Sequence, residues 1–416
     1  MKKFVSTIFC VLLLSSFFVS ACSNEMASPS SNQVTLRFAT WDTGESLKYE
    51  QEIAKLFEKK NPHVKVQVES YAEGYDDKIA ASFGTKNPPD VMYMWNYPNY
   101  YQSLLPLDDL LAKDSAAKSI TEDFYENIFN YHKFEGSSYG LPVGFVTRVI
   151  YYNKKLFDEA GVPYPTEAWT WDDFRSAAKQ LSNPTKKQYG FVLKQKDNSY
   201  AFQEFVWSNG GNFISPDGKK LERFMNSQET KEALSIFSEM IKVGSAIVVE
   251  SDRYTESFKS GKIAMIENGV WPLEGFKEAG IDFGTVELPA FPGKPVKGVI
   301  HTAGVSIAKD TKQQELAWEF VKFFVSAEGA KIRKGDMPAL KSVAKETKVA
   351  EDPLRKPFYS MLEKADEVPV FLLNAKWNEI DKNLDYAISS VLLGKDEADH
   401  ALDEAVKLSN QFVETK

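Results

Sequence analysis

From residue 34 the chain reads Val-Thr-Leu-Arg-Phe-Ala-Thr-Trp, an apolar/polar alternation with the period of a half-buried strand. Leu47, Ile53, Ala54 and Phe57 then recur at helical spacing, Lys59 and Lys60 suit a helix C-terminus, and Asn61-Pro62 stops it. Val64, Val66 and Val68 alternate as a second strand. After another helical stretch, Pro88-Pro89-Asp90 leads into Val91-Met92-Tyr93-Met94-Trp95, an apolar run suited to a buried strand. Strands alternating with helices predict a parallel, doubly wound α/β sheet. Ligands bind such sheets beyond the C-terminal strand ends, and this sequence places Trp41-Asp42 and Trp95-Asn96 there.

A second stretch begins near Gly140-Leu141-Pro142, with Val149-Ile150-Tyr151-Tyr152-Asn153 as a strand entering a new lobe. Thr170 with Asp173 predicts a capping box, and Trp169 before it can staple onto Phe174. Further helices are predicted around 203–207, 228–243 and 313–324, and two amphipathic ones within 374–413. At 416 residues the chain exceeds one compact core, so two lobes are expected.

Met1-Lys2-Lys3, an apolar run over 4–19 and Ser20-Ala21-Cys22 follow the grammar of a signal peptide ending at residue 21. Val19-Ser20-Ala21-Cys22 also resembles a bacterial lipobox, in which the thiol of Cys22 takes a diacylglycerol before cleavage on its N-terminal side. Cys10 lies in the discarded segment, so Cys22 is the single thiol of the mature chain and no disulfide can form. Polar residues 22–33 read as a lipidated cysteine and flexible tether. Removing 1–21 deletes Lys2 and Lys3, which leaves 48 basic residues against 58 acidic and a net charge of −10. That sign offers no general footing for nucleic acid or for anionic lipid, so membrane attachment is assigned to the lipid on Cys22.

The chemistry of most enzymes lacks its usual marks. The four histidines, His63, His132, His301 and His400, show no zinc-binding spacing, and no nucleophile elbow, phosphate-binding loop or dinucleotide fingerprint follows a predicted strand. No metal and no cofactor is expected. Paired glycosidase carboxylates are defined in space and not by spacing, so a lipid-anchored carbohydrate-active enzyme stays open as an alternative.

Aromatic residues reach 13% of the chain, with eight tryptophans. Trp169 and Trp171 have a structural task at the helix cap. Trp41-Asp42, Trp95-Asn96 and Glu267-Asn268-Gly269-Val270-Trp271 instead pair a large ring with a planar hydrogen-bonding group. A pyranose needs both, a ring for its C–H face and polar partners for its hydroxyls.

In order, these segments resemble those of the extracellular solute-binding proteins of family 1, the lipoprotein sugar receptors of bacterial ABC importers. The resemblance is carried by residues 34–41, Leu56-Phe57-Glu58-Lys59-Lys60-Asn61-Pro62, Pro89-Asp90-Val91, Tyr139-Gly140-Leu141-Pro142, Tyr151-Tyr152-Asn153-Lys154 and Phe157-Asp158-Glu159-Ala160-Gly161. Trp169-Thr170-Trp171-Asp172-Asp173-Phe174, Phe258-Lys259-Ser260-Gly261-Lys262, Asn268-Gly269-Val270-Trp271 and Ala317-Trp318-Glu319-Phe320 extend it over nearly the whole mature chain. It implies a type II two-lobed fold, each lobe a doubly wound sheet flanked by helices, with ligand in the cleft between lobes and closure by hinge motion. The lobes would take 34–146 plus 302–345 and 147–301 plus 346–416. It also implies a binding protein that breaks no bond, a carbohydrate cargo, permease subunits of an ABC importer as partners, and a monomer.

By comparison with the maltose-binding member of that family, Trp271 and Trp377 align with tryptophans that stack on sugar. At the first crossover that relative has a sugar-binding acid where this chain has Val146, leaving Phe145 and Arg148 as substitutes. The expected site therefore has Trp41, Trp95, Trp271 and Trp377 as platforms and Asp42, Asn96, Glu267, Asn268 and Arg148 as polar contacts, with Phe145 beside them. Arg148 suits either an acidic sugar or neutral hydroxyls. A same-fold receptor for a polyamine, peptide or chelated metal is the remaining alternative.

Overall fold

The computed structural model describes residues 33–195, 199–250 and 254–413. The expected signal peptide, Cys22 and the tether up to residue 32 lie outside the described residues.

Twelve strands form among the described residues: β1 (Val34–Thr40), β2 (Val64–Ser70), β3 (Val91–Met94), β4 (Lys133–Phe134), β5 (Ser137–Ser138), β6 (Leu141–Pro142), β7 (Val149–Asn153), β8 (Tyr189–Lys194), β9 (Ala246–Val249), β10 (Ile263–Asn268), β11 (Phe283–Val286) and β12 (Gly304–Ile307). One five-stranded sheet has the order β2-β1-β3-β12-β6 and a second the order β11-β7-β10-β8-β9, with β4 and β5 as a small hairpin. Helices flank both, which gives two lobes.

The first sheet begins as the sequence predicts. β1 pairs in parallel with β2 and β3, and the intervening helix Gly44–Lys60 buries Ile53, Ala54 and Phe57. Phe38 on β1 meets Tyr93, Phe320 and Phe324 edge-on, with ring centroids 5.5, 5.5 and 5.1 Å apart, so helix Gln314–Val325 packs onto this sheet.

A wholly parallel sheet is not what forms. β12 runs antiparallel to both β3 and β6 in the first sheet, and β7 runs antiparallel to β10 and β11 in the second. β12 is the segment that returns from the second sheet to complete the first, and β7 is the segment that first enters the second, so neither belongs to a local strand-helix-strand unit. Thr170 forms the expected capping box with Asp173, and Trp169 meets Phe174 at 5.4 Å.

Between the sheets the chain crosses twice side by side. Val146 on the outward crossing and His301 on the return exchange both backbone hydrogen bonds, at 2.8 and 2.7 Å. The segment after Thr347 then packs on the second lobe, where Thr147 and Thr285 donate to the carbonyls of Phe358 and Leu354. Helices Trp377–Leu392 and Ala398–Val413 close that lobe.

Candidate functional site

The C-terminal ends of β1, β2, β3 and β10 face a cleft of about 660 Å³ floored by the crossing segments. On the first lobe, Trp41 leaves β1 with its ring edge-on to Tyr75 and Tyr93, at 5.1 Å from each. Asp42 follows, its backbone fixed by N–H donation to Thr40 Oγ1 at 3.0 Å and by Ser70 Oγ donating to its carbonyl at 2.6 Å. Beneath it Glu50 is completely buried and accepts from Thr40 Oγ1 at 2.9 Å. Burial and the neighbouring Asp42 charge push the Glu50 carboxyl up to about 9, so it is neutral beneath the half-buried Asp42. Burial also raises Asp42, Asp76 and Asp336 from their ordinary values.

Trp95 leaves β3, donates from Nε1 to Asp76 Oδ1 at 3.3 Å, and meets Phe371 at 5.2 Å. Asp336 is held by Arg333, whose Nε lies 3.1 Å from Oδ2. An aromatic run crosses the floor from there: Phe371 to Tyr200 is 5.9 Å, Tyr200 to His301 is 4.5 Å and His301 to Trp271 is 6.0 Å. It joins the strand end of β3 in one lobe to that of β10 in the other.

On the second lobe, Arg148 donates from Nη1 to both oxygens of Glu267 at 2.8 and 3.1 Å and from Nε to His301 Nε2 at 3.0 Å. The last bond requires an unprotonated Nε2. Burial, with the Arg148 charge beside it, lowers the His301 imidazole well below its usual range, which meets that requirement. Fully buried Glu204 is pushed well above the carboxylate range by burial and by the Glu267 charge, and stays neutral. The Arg148 guanidinium sits 6.0 Å from the ring of Trp271, which is 60% exposed.

Of the residues expected from the sequence, Trp41, Asp42, Trp95, Phe145, Arg148, Trp271 and Trp377 come together on the cleft wall. Two present little surface there. Phe145 is 2% exposed because its ring packs on Tyr359 and Tyr125, and Trp377 is 5% exposed. Three others do not line the cleft. Asn96 is buried, Glu267 is turned onto Arg148, and Asn268 donates to the Tyr254 hydroxyl at 2.9 Å while accepting from Gly269 N–H.

Tyr75 and Asp76, which the sequence reading missed, open the helix Tyr75–Gly84 that follows β2, on the side of the sheet where its C-terminal strand ends lie. Asp336, Phe371 and Asp381 also line the cleft but come from distant segments with no such local signal. Among the described residues no group of three or more His, Cys, Asp or Glu is placed to hold a metal ion, and no helix is long and apolar enough to cross a membrane.

Known proteins resemble this chain in sequence and in fold. The galactooligosaccharide-binding protein of Bacillus subtilis (strain 168) is 25% identical over 427 residues, spanning 99% of this chain and 97% of that protein. The ABC substrate-binding protein Lmo0181 of Listeria monocytogenes, solved in complex with cycloalternan, superposes with a TM-score of 0.79 at 25% identity, covering 92% of this chain and 99% of that one. UgpB of Mycobacterium tuberculosis, solved in complex with glycerophosphocholine, has the same fold at a TM-score of 0.78 and 20% identity, covering 92% and 98%. The family model described as bacterial extracellular solute-binding protein matches residues 40–331, the greater part of the sequence. With two sheets, paired crossings and an interlobe cleft in place beneath that match, the chain belongs to the bacterial extracellular solute-binding protein family.

Proposed function

We propose that this protein is an exported, lipid-anchored receptor that captures a carbohydrate, an oligosaccharide, between its lobes and delivers it to the permease of an ABC importer. The observation that carries the reading is the convergence of Trp41, Trp95, Trp271 and Trp377 with Asp42, Asp76 and Asp336 around one cleft between the lobes. Rings offer faces to pyranose C–H groups, and carboxylates accept from hydroxyls. The relatives that bind galactooligosaccharide and cycloalternan support a sugar, and the glycerophosphocholine complex warns that the fold alone does not fix the cargo. Hinge motion about the Val146–His301 pair would close the lobes, with the protein working as a monomer on its lipid tether.

A thermal-shift screen of the Cys22→Ala protein against maltotriose, cellotriose and galactotriose tests the cargo. A ligand at 100 times its Kd adds about 2.7 kcal/mol to stability, a clearly raised Tm. No shift with any saccharide would refute the sugar assignment. Turnover of a bound saccharide into released product would favour the enzyme instead. For the anchor, Cys22→Ala should move the protein from the membrane to the soluble fraction with its affinity unchanged.

A further inference from the structure

We infer that the cleft selects cargo by charge: it accepts neutral and amine-bearing saccharides and rejects those bearing carboxylates. This deepens the saccharide reading and rests on it.

Four carboxylates reach the cleft wall from four separate segments: Asp42 after β1, Asp76 in helix Tyr75–Gly84, Asp336 in the loop before Met337, and Asp381 in helix Trp377–Leu392. One guanidinium, Arg148, is the cationic side chain among the described wall residues, since the neighbouring His301 is neutral. Arg148 is already matched. Glu267 takes Nη1 through both its oxygens and His301 takes Nε, so the positive charge is cancelled from behind before any ligand arrives.

Arg333, close to Asp336, is equally committed. It is buried at 5% exposure, and it donates to Asp336, to the Phe324 carbonyl at 3.0 Å and to the Val143 carbonyl. An anionic sugar entering this cleft meets carboxylates from four segments, of which only Asp336 is paired with an arginine, and among the described wall residues it meets no cation that lacks a carboxylate partner. In a partly desolvated cleft a like charge a few ångströms away is strongly repelled, and salt screens that repulsion only in part.

The hydrogen-bonding sense agrees with the charge. Ionised carboxylates only accept, so they match hydroxyl or ammonium hydrogens and not another carboxylate. A sugar's many hydroxyls donate as well as accept, and an amine adds donors and a favourable charge. Arg148 thus acts as a positioning residue for Trp271, 6.0 Å from its ring, and not as an anion receptor.

The test compares matched ligands by calorimetry at low ionic strength, using the purified protein. Maltotriose, cellotriose and galactotriose are each titrated beside two counterparts, one with every C6 oxidised to a carboxylate and one with every C6 hydroxyl replaced by an amine. For a neutral trisaccharide that binds, the carboxylate counterpart should bind about tenfold or more weaker and the amine counterpart at least as tightly. Raising the salt should narrow the gap, and Asp336→Asn should narrow it too. A carboxylate counterpart that binds as well as the neutral sugar, or better, overturns the charge selection and leaves the saccharide reading intact. If none of the nine saccharides binds, the saccharide reading falls and takes this inference with it.

Discussion

Arg148 on the cleft wall and Glu267 behind it form a two-pronged ion pair, Nη1 lying 2.8 and 3.1 Å from the carboxylate oxygens, with the arginine near the outward crossing and the glutamate on β10. Both side chains are largely covered, at 18% and 12% exposure. A covered charge that loses its partner is costly, whereas removing both charges together is close to neutral. Glu267→Gln should therefore cost about 3 kcal/mol by urea denaturation, and Arg148→Met combined with Glu267→Leu should restore most of it. A Glu267→Gln variant as stable as the parent would show that the pair contributes nothing to the fold.

The buried Glu50 beneath Asp42 makes a pH prediction of definite sign. Its carboxyl titrates at about 9 when folded against an ordinary 4.5, chiefly through burial. A folded pKa above the unfolded one favours the protonated form, so its contribution to stability is complete below 4.5 and is lost as pH rises toward 9. Glu50→Gln has no proton to lose and keeps an oxygen to accept from Thr40. Relative to the parent, this variant should gain stability on going from pH 5 to pH 8. A difference between the two proteins that stays flat across that range would contradict a neutral Glu50.

Gly269 joins the second lobe's platform to the hinge. A Cβ there would lie 2.4 and 2.6 Å from atoms of the Trp271 ring and 2.7 Å from Val146 Cγ1. Gly269→Ala must displace the indole or push on the crossing segment. Overpacking of this kind costs about 1–3 kcal/mol, and a shifted platform should weaken saccharide binding about tenfold. Unfolding curves and calorimetry on the same preparation measure both, and an unchanged Kd would mean that the indole's resting position is immaterial to cargo.

Much of this was readable in the chain because it is local. The alternation of residues 34–41, the helix that follows and the Trp169 to Asp173 cap are set by neighbours a few residues apart, and each forms as its pattern predicts. The antiparallel β7 and β12 depend instead on where the crossings return, which no local pattern records. The site divides the same way. Strand-end reasoning points to Trp41, Asp42 and Trp95, which line the cleft, whereas Asp76 reaches it from the helix after β2. The residue types of Glu267 and Asn268 suggest cleft contacts, but consecutive strand residues point to opposite faces, and here one meets Arg148 and the other Tyr254.

Trp271 and Trp377 both line the cleft, yet their surroundings separate what each can do. Trp271 is 60% exposed and contributes little to the folded core, so more than half of its surface is available to a ligand. Trp377 opens helix Trp377–Leu392, is 5% exposed and belongs to the second lobe's core, so its ring holds the fold first and reaches the cleft with an edge. Truncating the exposed ring should leave stability within about 0.5 kcal/mol, whereas truncating the buried one should cost about 3–5 kcal/mol through the cavity it leaves. Binding should separate them differently: Trp271→Ala weakens saccharide affinity about tenfold or more, while Trp377→Phe, which keeps most of the core volume, changes it less. Denaturation midpoints and calorimetric Kd values for both variants decide the matter, and a Trp271→Ala protein with unimpaired affinity would remove stacking at β10 from the mechanism.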